Sequence, residues 1–287
     1  MKKIRMRRRQ PNRSRGGDLG VYIMLTLFGV MFAIPLVFAV CQAFKPLDEI
    51  YKFPPTIFVH NPTLNNFKDL FVIMGQSWVP FSRYIFNTVF ITAVGTAGQL
   101  LIASMGAYVL AKYDFPGSRK LFAMITTAIM FNNYITSIPL YLVMAKFGWI
   151  DTFIAPILPA LAAPMGLFLM KQFMEGIPDS LLEAAKIDGA KEWGIFTKIV
   201  MPNVKPAWLT LIIFSVQGLW GNAQSQYIYS EDLKTLPYAL AQVTAGGVAR
   251  AGAGAAVTLV MLIVPIGIFI FSESNILETM ASSGIKE

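Results

Sequence analysis

The chain has 287 residues, 55% of them hydrophobic and 14% charged, with a mean hydropathy of +0.56 and a formal net charge of +8. Soluble domains carry about 25% charged residues, so this composition excludes an ordinary soluble globular protein and points to a membrane. One Cys and one His leave no internal disulfide and no basis for a zinc site.

In chain order, the first element is a basic tail, 1–18, with Lys2, Lys3, Arg5, Arg7, Arg8, Arg9, Arg13 and Arg15. It abuts an apolar window, so orientation and contact with anionic lipid explain it better than nucleic-acid binding. Six windows free of Asp, Glu, Lys and Arg follow: Leu19–Phe44, Tyr84–Ala111, Leu121–Ala145, Thr152–Met170, Pro206–Ser230 and Ala251–Ser272. A helix crossing a hydrocarbon core of ~30 Å needs about 20 apolar residues. Lipid offers the backbone no partners, so each window is expected to be helical. The first is too long for the apolar part of a signal peptide and reads as an uncleaved span. The expected fold class is an all-α integral membrane protein with six transmembrane helices.

With an even number of spans both termini share a side. That side holds 17 of the 24 Lys and Arg residues, so both termini are expected to be cytoplasmic. The connector Lys45–Arg83 then lies outside, with turn-forming Pro and Asn and a short amphipathic piece, "NNFKDLF". "KYDFPGSRK" (112–120) is a tight inner turn, Lys146–Asp151 a short outer link, and 171–205 a cytoplasmic loop. Glu231–Arg250 is a second outer loop. Small residues Gly95, Gly98, Ala103 and Gly106 mark the second span for close helix packing. The third holds Asn132, Asn133 and Tyr134, and the fifth holds Gln217, Trp220, Asn222, Gln224 and Gln226. Polar groups in lipid need partners or a water-filled cavity. Helix–helix hydrogen bonding and a polar pathway for an uncharged, hydroxyl-rich solute both meet that need.

The loop 171–205 reads as helix, glycine turn, helix. Pro178, Asp179 and Ser180 supply helix-start chemistry, and "LLEAAK" is rich in helix formers. Gly189 suits a left-handed helix end. "AKEWGIFTKIV" is a second helical piece that Pro202 and Pro206 close. From the residues alone, a helix lying on the membrane surface and a dock for a partner protein are equally open.

"EAAKIDGAKEWGIFTKIVMPNVKP" resembles the EAA loop of ABC importer permeases: E-A-A, three residues, G, about nine residues, then I-x-x-P. Glu183, Ala184, Ala185, Gly189, Ile199 and Pro202 meet that pattern without a gap. "PPTIFVHNPTLNNFKDLF", "FNTVFIT", "YDFPGSRKLF" and "GLWGNAQSQYIYSEDLKTLPYAL" extend the likeness over most of the chain, toward the MalG-like subunits of the carbohydrate-uptake branch. The tail "SESNILETMASSGIKE" departs from the MalG pattern and is similar to permeases for complex polysaccharide or oligosaccharide uptake, so maltose specificity does not carry over.

The resemblance implies a type I ABC importer permease in a bacterial cell membrane, transporting oligosaccharide. Its implied partners are a second permease subunit, an ABC ATPase dimer and an extracytoplasmic solute-binding protein. ATP and Mg would be held by the ATPase. This chain has no G-x-x-x-x-G-K-[ST] and is expected to be a transport subunit, not an enzyme. Residue by residue, Glu183 would meet a basic group of the ATPase, Ala184 and Ala185 would allow close approach, and Gly189 would make the seating turn. Lys186, Asp188 and Ala190 complete the coupling segment, with Ile199 and Pro202 as its framework. Asn132, Asn133, Tyr134, Gln217, Trp220, Asn222 and Gln224 are candidate pathway residues. Pro237, Tyr238, Gln242, Gly246 and Gly247 are candidates for contact with the binding protein.

Overall fold

The computed structural model describes the backbone of residues 15–131, 133–222 and 227–283. The basic tail 1–14, Asn132, Gln224 and Gln226 lie outside the described residues, as do the side chains of Asn133 and Tyr134. The described residues form helices and turns, without a strand.

Helix α1 (Arg15–Phe44) is followed by the short α2 (Leu47–Ile50), α3 (Asn65–Gly75) and α4 (Phe81–Lys112). The amphipathic "NNFKDLF" piece is α3. It buries Asn66, Leu70 and Met74, with the Asn66 amide donating to the carbonyls of Ala43 and Lys45 at 3.0 and 2.8 Å. The Pro-Gly turn after α4 is present, with Gly117 at φ 91°.

Among the described residues, four stretches are long and apolar enough to cross a membrane: Gly17–Phe44, Phe81–Lys112, Ile154–Glu175 and Gly247–Glu273. They correspond to the first, second, fourth and sixth windows. The third window differs from expectation. It divides into α5 (Ser118–Ala128) and α6 (Asn133–Lys146). The amides of Met130 and Phe131 donate three residues back, to Thr127 and Ala128, which ends α5 in a tight turn. An Asn pair beside that turn favours a break, because Asn competes for backbone partners in a helix interior. The fourth window jogs between α7 (Ile154–Leu161) and α8 (Pro164–Glu175). Pro164 pushes the preceding Ala163 to φ −89°, ψ 102°.

The fifth window also differs. After α9 (Asp179–Ile187), the run α10 (Glu192–Ile195), a π-turn at Phe196–Val200 and α11 (Met201–Asn203) meets α12 (Lys205–Trp220) at 81°. Helix α12 alone has 16 residues, and the two arms reach membrane length only together. The chain closes with α13 (Leu236–Thr244) and α14 (Ala251–Ser283).

Helix α4 sits among α7, α8 and α12, and its small residues explain why. A Cβ on Gly98 would stand 2.4 Å from Leu161 Cδ2, one on Gly95 2.6 Å from Leu219 Cδ1, and one on Gly106 3.1 Å from Leu167 Cδ1. Those contacts run α7–α8 parallel to α4 and α12 antiparallel to it. Buried polar groups line the same face. Thr88 bonds the Tyr84 carbonyl, and Ser215 of α12 donates to Thr96 at 3.0 Å. Two apolar clusters result: one joins α3, α12, α13 and α14 around Trp220 and Leu240. The other joins α4, α8 and the 177–204 segment around Ile195, Val200 and Leu211.

Candidate functional site

The EAA segment is helix α9, and its geometry follows from its ends. At the start, Pro178 holds the cap position without a side-chain cap bond. The Asp179 carboxylate turns instead to Lys112, 2.8 Å away, while Lys112 also donates to the Ile177 carbonyl. At the finish, Gly189 lies at φ 81°. The Ala190 amide bonds the Ala185 carbonyl at 2.9 Å and the Gly189 amide bonds Lys186 at 3.0 Å. That pair of bonds is a Schellman ending, which needs a residue free to adopt positive φ.

Only Leu182 of α9 is buried, packed in the cluster with Met170, Ile177 and Ile195. Glu183, Ala184, Lys186, Asp188, Gly189 and Ala190 are exposed, and Ala185 is half-buried. Leu181 is exposed too, and Ile187 is 87% exposed. The outward face therefore carries two carboxylates, Glu183 and Asp188, together with small residues and two bare aliphatic side chains.

Past the turn, Glu192 gathers three groups. Lys186 lies 2.8 Å from its Oε1, and the Tyr108 hydroxyl donates to Oε2 at 3.0 Å. The Lys186 ammonium above all, with the Tyr113 hydroxyl, holds the Glu192 carboxyl down at about 2. Lys186 also stands 5.6 Å over the Tyr113 ring. Ile195, Phe196 and Val200 turn into the bundle, whereas Trp193 is 61% exposed.

Ile199 and Pro202 lie on the arm that leads into the elbow, which falls at Val204 between α11 and α12. Pro202 has no N–H to continue the ladder, and the winding widens to a π-turn just before it. Side chains supply partners: Asn203 donates to the Ile199 carbonyl at 2.8 Å and the Trp208 indole to Met201 at 3.1 Å.

At the far end of α4 the segment Glu231–Arg250 is tied down rather than free. The Tyr84 hydroxyl donates to Glu231 at 2.8 Å. The Asn87 amide donates to the carbonyls of Asp232 and Lys234 at 2.8 and 2.9 Å, and the Leu236 amide donates to Thr88 at 2.7 Å. Helix α13 buries Pro237 with Leu236, Ala239, Leu240 and Val243. Tyr238 is half-buried beside Lys234, whose ammonium lies 4.3 Å from its ring centre. Gln242, Gly246 and Gly247 are exposed. The "AGGVARAGAG" stretch takes a 3-10 turn at Gly247–Arg250, and its last four residues begin α14.

Among the pathway candidates, Gln217 and Asn222 are exposed. Trp220 is 7% exposed, with its indole N–H donating to the Met261 carbonyl of α14 at 3.1 Å.

Three groups important to this arrangement were not legible as site residues. Tyr108 read only as part of the second apolar window and Lys112 as the first residue of the inner turn 112–120. Asp151, at φ 60°, joins two connectors. Its carboxylate accepts from the amides of Tyr229 and Ser230 at 2.9 and 2.8 Å and from the Ser230 hydroxyl, which above all lowers its pKa. A non-Gly residue at positive φ is visible only in coordinates; an Asp after a Gly-containing turn was the available hint.

Comparison with known proteins gives the family and the fold of the chain. The family described as "Binding-protein-dependent transport system inner membrane component" matches residues 13–279. The chain is 34% identical over 263 residues to the arabinooligosaccharides transport system permease protein AraQ of Halalkalibacterium halodurans, covering 88% of this chain and 90% of that one. It is 29% identical to the polygalacturonan/rhamnogalacturonan transport system permease protein YtcP of Bacillus subtilis, covering 77% and 74%. It is 28% identical to the diacetylchitobiose uptake system permease protein NgcG of Streptomyces coelicolor, covering 69% and 65%. The fold is similar, at a TM-score of 0.74 and 22% identity, to a chain in the crystal structure of a bacterial ABC transporter that imports the acidic polysaccharide alginate, covering 92% of this chain and 99% of that one. The chain belongs to the binding-protein-dependent transport system inner membrane component family.

Proposed function

We propose that this chain is the membrane-spanning permease subunit of an ATP-driven oligosaccharide importer in a bacterial cell membrane. It works with a second permease subunit, an ATPase dimer that binds ATP and Mg, and an extracytoplasmic binding protein. The observation that carries this reading is α9: a Gly-terminated EAA helix whose outward face bares Glu183, Ala184, Leu181 and Ile187. Switching nearly completely between two states requires roughly 5.5 kcal/mol of differential binding, and an exposed ion pair supplies at most about 1 kcal/mol. Docking through Glu183 alone is therefore too weak; the bare Leu181, Ile187 and Trp193 side chains provide the apolar area that a protein cleft would cover.

Oligosaccharide as the solute is supported by the relatives, which are named for arabinooligosaccharide, polygalacturonan or rhamnogalacturonan, and diacetylchitobiose. Six crossings with both termini cytoplasmic suit the contacts. Phe122 of α5 lies level with Phe168, and Phe153, after α6, lies level with Phe90. Helices α5 and α6 thus together carry the chain back along the bundle between the parallel α4 and α7–α8. Neutral amides at Asn132, Asn133, Gln217, Asn222 and Gln224 suit a hydroxyl-rich solute, and the exposed tip around Gln242, Gly246 and Gly247 suits contact with the binding protein.

The test is Gly189→Asp in the reconstituted importer. We expect the variant to assemble with its partners and to lose solute uptake, because Asp at φ 81° distorts the seating turn. Normal uptake by this variant would sink the docking role.

A further inference from the structure

We propose that α4 is a stiff link between the docking loop and the Glu231–Arg250 segment, clasped at each end, and that Lys112 and Asn87 are positioning residues for transport. The proposal rests on the permease reading above and deepens it by naming the element that carries the coupling.

Helix α4 differs from the other membrane-length segments in the described residues. Helix α1 contains Pro35, α14 contains Pro265, Ile154–Glu175 is interrupted at Ala162–Ala163, and α12 reaches membrane length only through an 81° elbow. Proline and helix breaks are where helices bend. Helix α4 runs 32 residues without either, roughly 48 Å at 1.5 Å per residue. Its small residues seat it against α7, α8 and α12, so displacement of α4 takes its neighbours along.

Each end of this rod holds one functional segment. At the docking end, Lys112 and Tyr108 stand one turn apart on the same face of α4. Lys112, with a side chain only 5% exposed, holds the start of α9 through Asp179 and the Ile177 carbonyl. Tyr108 holds Glu192, which in turn grips Lys186 near the finish of α9. A helix fixed near both ends cannot slide or tilt without moving what it is fixed to. At the other end, Tyr84, Asn87 and Thr88 hold Glu231, Asp232, Lys234 and the first amide of α13. Asn87 is fully buried and bridges two carbonyls of that segment. Movement of α9 by the ATPase is thereby delivered to α13 and the exposed tip after it. Seating of the binding protein on that tip is delivered back, since coupling between two binding sites is reciprocal.

The experiment is ATP hydrolysis by the complete importer in lipid nanodiscs, with and without its solute-loaded binding protein. Lys112→Met and Asn87→Leu should copurify with the ATPase and keep basal hydrolysis. Each should lower the stimulation by binding protein about tenfold, a coupling loss in the ordinary range for linked sites. The double variant Lys112→Asp/Asp179→Lys should recover part of the stimulation lost in Lys112→Met, because it restores the ion pair but not the bond to the Ile177 carbonyl. Normal stimulation in Lys112→Met and Asn87→Leu overturns the proposal, as does a charge swap no better than Lys112→Met. If Lys112→Met fails to assemble, Tyr108→Phe decides: reduced stimulation supports the link and normal stimulation overturns it. Gly189→Asp separates the two layers. Stimulation lost in Gly189→Asp but normal in the clasp variants condemns the link alone; stimulation normal in Gly189→Asp condemns the docking reading beneath it.

Discussion

Gly189 and Glu192 show how much single residues decide here. Gly189 could be assigned to a helix end from spacing alone, because positive φ excludes most side chains and the flanking pattern is helical. Glu192 could not. In sequence it is one more charge in a polar loop; in space it collects Lys186 and Tyr108 from two separate elements. Its pH behaviour follows. An acid whose folded pKa falls from 4.5 to about 2 adds stability that is complete above about pH 4.5 and is lost as pH falls through about 2. Glu192→Gln is therefore expected to melt below the wild type at pH 6 in detergent. The gap should close as pH approaches 2; a gap independent of pH would show that the carboxylate charge is not what holds the loop.

At the scale of elements, the small residues of α4 were readable as a packing face, and the structure puts Leu161, Leu167 and Leu219 against them. Gly98→Val should destabilise the protein by about 1–3 kcal/mol, the usual range for overpacking, because Leu161 has no room to keep its place. Gly29→Ala, on α1 where nothing lies within 4 Å, should be neutral or stabilising by up to ~1 kcal/mol from helix propensity. Thermal unfolding in detergent compares them, and equal midpoints would refute the packing account. The breaks were harder to read than the helices. Apolar content marks where a chain prefers lipid, but it is nearly blind to a jog at Ala162–Ala163, a divided third window or an elbow at Val204. Those depend on which neighbour takes up the released carbonyls, as Asn203 and Trp208 do.

For the whole molecule, the asymmetry of Lys and Arg sets the expected orientation. In a Cys41→Ser background, Gly246→Cys in intact cells should react with a membrane-impermeant maleimide, and Ser180→Cys should react only after the membrane is opened. The reverse labelling would invert the proposed topology. The sequence by itself determined the membrane class, the positions of the apolar windows, the EAA spacing and the glycine turn. These are local matters of hydropathy, helix propensity and allowed backbone angles, and each can be read within a few turns of chain. Only the tertiary structure decided that Lys112 and Tyr108 clasp the docking loop, that Trp220 donates to α14, that α13 is buried on the bundle and that Asp151 joins two connectors. Each of those is a contact between residues far apart in sequence, most of them polar groups that must find a partner once packing removes them from water, and composition does not say which partner packing will bring within reach.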